Sequence, residues 1–320
     1  MKDDAVAPVV AAMLVLAVIV TFFSVWKAVY LPSLKQQSEM TQLREVEGAV
    51  TRFSSDLYLT TALKQELSFV EPLPLGGGGV LFSPLTSAGT IRVNGEPKLL
   101  YMITITESGV DHGEYGRLVN FSYQPVNDFW IDQGYIWHYG YVNVTKGLSA
   151  KGPDGAALST PLSYPAMDDV KKSGTIRKFA ESLITIDSRP WYNSSANCSH
   201  ITISSVTFHP EPRASYASSN GVGSFALTAT VNETGYGIPE KASPDALVIR
   251  VSRSAPEPFS QDLYSRCNQS LADLAAAYPH NIVHTFQTTA LYNETAIAPV
   301  ADSLPFDITH RQVAVNVSVY

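Results

Sequence analysis

Residues 5–26 read AVAPVVAAMLVLAVIVTFFSVW, preceded by the charged lead Met1-Lys2-Asp3-Asp4 and followed by Lys27. The stretch is uncharged and mostly apolar, and as a helix rising about 1.5 Å per residue it is roughly 33 Å long, the thickness of a bilayer's hydrocarbon core. A cleaved secretory signal has a shorter apolar region, about 7 to 15 residues, ending in a small-x-small site. Here Phe22-Phe23-Ser24-Val25-Trp26 stands where that site belongs. The sequence therefore predicts a membrane-spanning helix.

Beyond it, Lys27-Ala28-Val29-Tyr30-Leu31-Pro32-Ser33 introduces a proline that removes one helical hydrogen bond and crowds the preceding turn, so a kink or break is expected there. From Ser33 to about Val70, Leu43, Val46, Val50, Phe53, Leu57, Leu63, Leu67 and Val70 recur at helical spacing. Arg44, Glu45, Glu47, Arg52, Asp56 and Lys64 fall mostly off that stripe. A helix from Ala5 to Val70 would be roughly 100 Å long. Its outer half must lay the stripe on the chain's own β domain, on neighbouring copies, or on each along different lengths. Glu71-Pro72-Leu73-Pro74-Leu75 ends it, and Gly76 to Gly79 follow as a turn or hinge. No Gly-Lys-Ser/Thr follows the glycines, so a phosphate loop is not indicated.

The rest of the 320 residues reads as β structure. Thr90 to Val93, Asn94-Gly95-Glu96-Pro97 and Leu99 to Thr106 form an expected hairpin, because Asn-Gly supplies the positive φ of a tight turn. Further strands are expected at Arg117 to Tyr123, Tyr135 to Val144, Ser182 to Ile186, Ile201 to Phe208, Ser224 to Val231, Ala246 to Ser252, Ile282 to Leu291 and Val313 to Tyr320. One helix interrupts them from about Ser260, its N-cap, to Tyr278 before Pro279. The expected fold is α+β: a leader at 1–4, a transmembrane helix at 5–31, an amphipathic helix at 32–71, and a β-rich head at 72–320 of antiparallel, sandwich-like build.

Composition places that head outside the cell. Net charge is −7, which argues against a nucleic-acid partner. Asn120, Asn143, Asn193, Asn197, Asn232, Asn268, Asn293 and Asn316 lie in N-x-S/T sequons, acceptors for N-glycosylation in exported chains. They are eight of twelve Asn, where Ser and Thr frequency would place about two by chance. Cys198 and Cys267 are the only cysteines, and in an oxidising compartment they are expected to pair. Lys27, Lys35 and Arg44 follow the span while Lys2 precedes it, which favours the opposite orientation. Long domains translocate largely regardless of such charges, so the sequons and cysteines carry the assignment.

Signals for chemistry are weak. His280 and His284 form H-x-x-x-H without the glutamate of a zinc protease, and read as surface histidines. Asn127, Asp128 and Asp132 are calcium-compatible residue types without an EF-hand spacing. No G-x-S-x-G nucleophile motif is present. Tyr135, Trp137, Tyr139 and Tyr141 share one strand face at period two and are expected to pack on the core or the long helix, with a carbohydrate platform as the alternative. No catalytic residue, metal or cofactor is nominated.

The lead Asp3-Asp4-Ala5-Val6-Ala7-Pro8-Val9-Val10, with the apolar helix directly after it, resembles the start of archaeal type IV pilins and pseudopilins. That motif often carries Ser where this chain has Ala7. The similarity extends loosely into Pro74 to Gly79 and Ser87-Ala88-Gly89-Thr90-Ile91. The resemblance implies cleavage between Asp4 and Ala5 by a prepilin peptidase, with Ala5 to Val6 as the alternative. It also implies a platform protein, an assembly ATPase, other pilin-like subunits and the lipid bilayer as partners. The expected protein is a non-enzymatic, single-pass subunit with its N-terminus cytoplasmic and its head extracellular. The alternative is a permanently anchored surface protein whose head binds or hydrolyses a ligand.

Overall fold

The computed structural model describes residues 6–77, 79, 86–126, 133–146, 159–161, 174–192, 194–238, 246–301 and 303–320. One helix rises without a break from Val6 to Leu63: α1 (Val6–Val25), a π-helical turn (Trp26–Tyr30) and α2 (Leu31–Leu63). The break expected at Pro32 does not occur. The turn before the proline is widened instead, so that the Leu31 N–H bonds to the carbonyl of Trp26, five residues back. This relieves the clash between a proline ring and the carbonyl four residues earlier while the axis continues.

The helix stops at Leu63, not near Val70. Lys64 takes a left-handed conformation (φ 51°, ψ 44°), and its ammonium donates to the carbonyls of Thr61 and Ser182. Leu67 and Val70, counted in the helical stripe, belong instead to β1 (Leu67–Pro74). Pairing of that strand, with Leu67 opposite Ala229 and Leu73 opposite Gly223, outweighed a helical spacing its residues also satisfy.

The strands divide among three sheets. The first has the order β1, β12 (Val222–Ile238), β16 (Phe306–Val319), β10 (Ser194–Pro210), β9 (Ile184–Trp191). Its β10 and β16 run parallel, and every other described pairing in the molecule is antiparallel. The second has the order β11 (Tyr216–Ser219), β2 (Ala88–Gly95), β5 (Val119–Val126), β6 (Gln133–His138), β7 (Tyr141–Lys146), β8 (Ser159–Pro161). The third has the order β14 (Ile282–Thr288), β15 (Tyr292–Pro299), β13 (Leu247–Ser252), β3 (Tyr101–Glu107), β4 (Val110–Gly116). Among the described residues two helices join them: α3 (Thr175–Leu183), which takes in Ser182, the expected start of a strand, and α4 (Glu257–Ala277). The start of α4 is Pro256 at the cap, and Ser260 lies inside the first turn with its hydroxyl bonded back to Pro256 O.

The hairpin expected at Asn94-Gly95 is absent. β2 runs through both residues and pairs with β5, whereas β3 belongs to the third sheet. Two-residue turns occur at Ser108-Gly109 (φ 50° and 83°) and Tyr139-Gly140 (φ 51° and 87°). Positive φ at both positions is the geometry that matches strand twist. The second turn splits the strand expected at Tyr135 to Val144 into β6 and β7. Only Tyr135 and Trp137 of the four aromatics are fully buried.

The core sits where the sheets meet α2. Val46, Ala49, Val50, Phe53 and Leu57 have no exposed surface. Phe53 lies 5.1 Å from both Phe121 and Phe225, Phe121 stacks on Trp137 at 5.4 Å, and the Trp137 Nε1–H donates to Ser54 Oγ at 3.0 Å. Each large apolar side chain buried there stabilises the fold by about 1.5 to 3 kcal/mol.

The glycine run is a packed strap at its described start, not a hinge. Leu75 N–H and Gly76 N–H both donate to Gly221 O, and a Cβ on Gly76 would lie 2.1 Å from Asn220 O. A Cβ on Gly77 would lie 2.5 Å from Gln42 Oε1, which already accepts from Ser87 Oγ.

Candidate functional site

The feature that sets this molecule apart is α1. From Pro8 to Val25 every side chain is exposed, and all are apolar except Thr21 and Ser24, whose hydroxyls bond back to Ala17 O and Val20 O. Among the described residues this is the one helix long and apolar enough to cross a membrane. Phe22, Trp26 and Tyr30 stack in sequence, at 6.4 Å and then 5.6 Å between ring centres, beside exposed Lys27. Aromatic rings with a polar tip and a flanking lysine are the residues that settle at a bilayer's interface.

Above that aromatic step the stripe of α2 begins, and its first members are polar. Lys35, Glu39 and Gln42 are 5%, 3% and 8% exposed, on the same helical face as Val46, Val50 and Phe53. The Gln42 side chain donates to Pro74 O at 3.3 Å and accepts from Ser87 Oγ at 3.0 Å. Their burial was missed because hydropathy alone marks them as solvent-facing. The available signal was position, since 35, 39, 42, 46, 49 and 53 continue one helical row.

A groove of about 380 Å³ runs between α2 and β1, lined by Arg44, Gly48, Arg52, Pro72, Leu73 and Val222 among others. Arg52 Nε bonds Glu71 Oε1 at 2.7 Å beside it, which raises the guanidinium further above its ordinary value.

Elsewhere several titratable groups are tied into the framework. Among the described residues no three His, Cys, Asp or Glu converge as metal ligands. His280 lies before β14 and His284 within it, with its Nε2 2.9 Å from Thr295 Oγ1, so they do not share one face of a single element. Asn127, Asp128 and Asp132 lie outside the described residues. His310 Nε2 is 2.8 Å from Ser205 Oγ, but both are buried, and burial lowers the imidazole to about 4. His138 Nε2 meets Glu96 Oε1 at 2.8 Å, and Asn120 Nδ2 donates to the same oxygen at 2.7 Å. Burial lowers the His138 pKa, against the pull of Glu96.

The expected disulfide does not form. Cys198 and Cys267 are both free and buried. Cys198 sits at a bulge of β10 with its thiol aimed at the carbonyls of Arg189 and His200, whereas Cys267 lies inside α4. Burial pushes the two thiols up to about 11 and about 12.

The sequons scatter over all three sheets and α4. Asn143 is 7% exposed, and Asn120 is held by Asn94 and Glu96. Asn197, Asn268, Asn293 and Asn316 are half-buried, Asn232 is exposed, and Asn193 lies outside the described residues, as does the predicted cut at Asp4 and Ala5.

No family model, no curated protein and no solved structure matches the chain.

Proposed function

We propose that this protein is a membrane-inserted, non-enzymatic surface subunit of the type IV pilin or pseudopilin kind, anchored by α1 with its head outside the cell. The observation that carries the reading is the rigid join. An apolar helix with nothing around it passes through the Trp26–Tyr30 turn into a helix whose inner face is buried in the head. The buried row starts at Lys35, five residues beyond Tyr30, about 8 Å at helical rise, so the head rests almost on the bilayer. Any force that lifts the head is transmitted along the same helix to α1. Lipid surrounds α1 at rest, and during assembly the α1 helices of neighbouring copies replace it, so the apolar surface never meets water. Prepilin peptidase, platform protein and assembly ATPase are the partners this reading implies.

Outward orientation is supported by the eight sequons. The contrary charge count loses weight because Lys35 is buried in the protein and is not available to the cytoplasmic leaflet.

The second reading, a permanently anchored binding or hydrolytic protein, is favoured by the groove between α2 and β1. Mass spectrometry of the N-terminal peptide of the native membrane protein separates the two. A mature terminus at Ala5 or Val6 is expected for the pilin-type subunit. An intact Met1 or Lys2 overturns that assignment in favour of the permanent anchor.

A further inference from the structure

β12 is 17 residues long, but β1 accompanies it only from Val222 to Ala229. β16 flanks its other side as far as Ile238. From Val231 to Gly237 no described strand pairs with the second side, although the end of β3 approaches it at Gly237. The direction of each backbone group there follows from the ladder. Ser224 and Tyr320 exchange both N–H to O bonds across β12 and β16, so even-numbered residues of β12 face β16 and odd-numbered residues face away. Gly237 agrees, since its N–H is met by the Glu107 carboxylate at 2.8 Å. The N–H and C=O groups of Val231, Glu233 and Gly235 therefore point out of the sheet edge, and Asn232 to Gly235 are all exposed. Such an edge is a template for a strand from another chain.

One of the eight sequons, Asn232-Glu233-Thr234, occupies this edge. In an extended strand residues two apart share a face, so the Asn232 amide and the Thr234 hydroxyl project to the same exposed side, with the Thr234 side chain also bonded to Tyr236 further along it. Other sequons offer less: Asn143 is buried, both ends of the Asn120 amide are bonded, Asn268 Oδ1 is enclosed in α4, and Asn316 and Asn293 lie on strands paired on both sides.

We propose that Asn232 is an N-glycan acceptor and that its glycan covers the open edge of β12 against pairing with a second copy. The proposal rests on the head being outside the cell. In the transfer, Asn232 Nδ2 forms a bond to the anomeric carbon of a lipid-linked oligosaccharide phosphate. The carbon–oxygen bond to phosphate breaks, the lipid phosphate leaves with the electron pair, and the displaced Nδ2 proton passes to a base of the transferase.

The test is glycopeptide mass spectrometry of the native full-length protein, run with a membrane-impermeant amine label on intact cells that reads exposed Lys98 and Lys178. The expected result is a labelled head with a glycan on Asn232. Asn232→Gln and Thr234→Val each lose one glycan's mass and gain self-association, whereas Asn143→Gln changes neither. A labelled head with Asn232 bare overturns the proposal and leaves the outward head standing. An unlabelled head with Asn232 bare overturns both. A glycan whose removal leaves self-association unchanged overturns its edge-covering role.

Discussion

Residues 8–25 and 42–57 belong to one uninterrupted helix, yet every side chain of the first stretch is exposed, whereas Val46, Ala49, Val50, Phe53 and Leu57 of the second have no exposed surface. The first is apolar on all sides and the second on one stripe. A helix apolar all round has no preferred partner face and suits a uniform surrounding such as lipid. A striped one has a single docking direction. The two halves are therefore suited to different surroundings while sharing one backbone, and changes in either half should have separable effects.

The largest effect is expected from Phe53→Ala, which removes the ring between Phe121 and Phe225. It should cost about 3 to 5 kcal/mol of head stability in denaturant unfolding and leave membrane retention unchanged. Leu14→Arg is the converse. A charge at the centre of the apolar helix costs about 3 kcal/mol of insertion, read as protein released by alkaline extraction, with the unfolding curve of the head unaltered. If Leu14→Arg destabilised the head, the two halves would not be independent.

Acid sharpens the same contrast, since α1 carries no ionisable group. His310 is held neutral, with a folded-state value near 4 against 6.5 in the unfolded chain. Its contribution is fully present above about pH 6.5 and is lost as pH falls toward 4, because only the unfolded state takes up the proton in that window. Roughly 3 kcal/mol is at stake, and His310→Gln should flatten the fall of unfolding free energy across that range. The smallest effect belongs to Arg52→Ala. Its guanidinium is 62% exposed and screened by solvent although Glu71 is mostly covered, so unfolding should change by no more than about 1 kcal/mol.

The helix and its stripe were legible in the sequence because periodicity is a local property: Val46, Val50, Phe53 and Leu57 took their expected places. The stop at Leu63 was not, since Leu67 and Val70 satisfy helical and strand spacing alike and the choice was made by β12, more than 150 residues away in sequence. Asn94-Gly95 shows the same limit in reverse. It has the chemistry of a turn, but β5 pairs straight through it, while the true turn at Tyr139-Gly140 carries an aromatic residue no turn rule favours. The free thiols depend on where β10 and α4 bring Cys198 and Cys267, which no count of cysteines contains. The polar start of the buried row at Lys35 and Glu39 was visible in spacing and hidden by hydropathy.

The parallel pairing of β10 with β16 has a consequence in time. β16 is the strand through which β12 and β10 join, so before Phe306 to Val319 have been made the first sheet exists only as two separate pairs, β1 with β12 and β9 with β10. Contacts this distant in sequence form slowly. The ribosome must therefore deliver the chain through Val319 before this layer can close, and until then a half-built head depends on whatever keeps nascent strands apart.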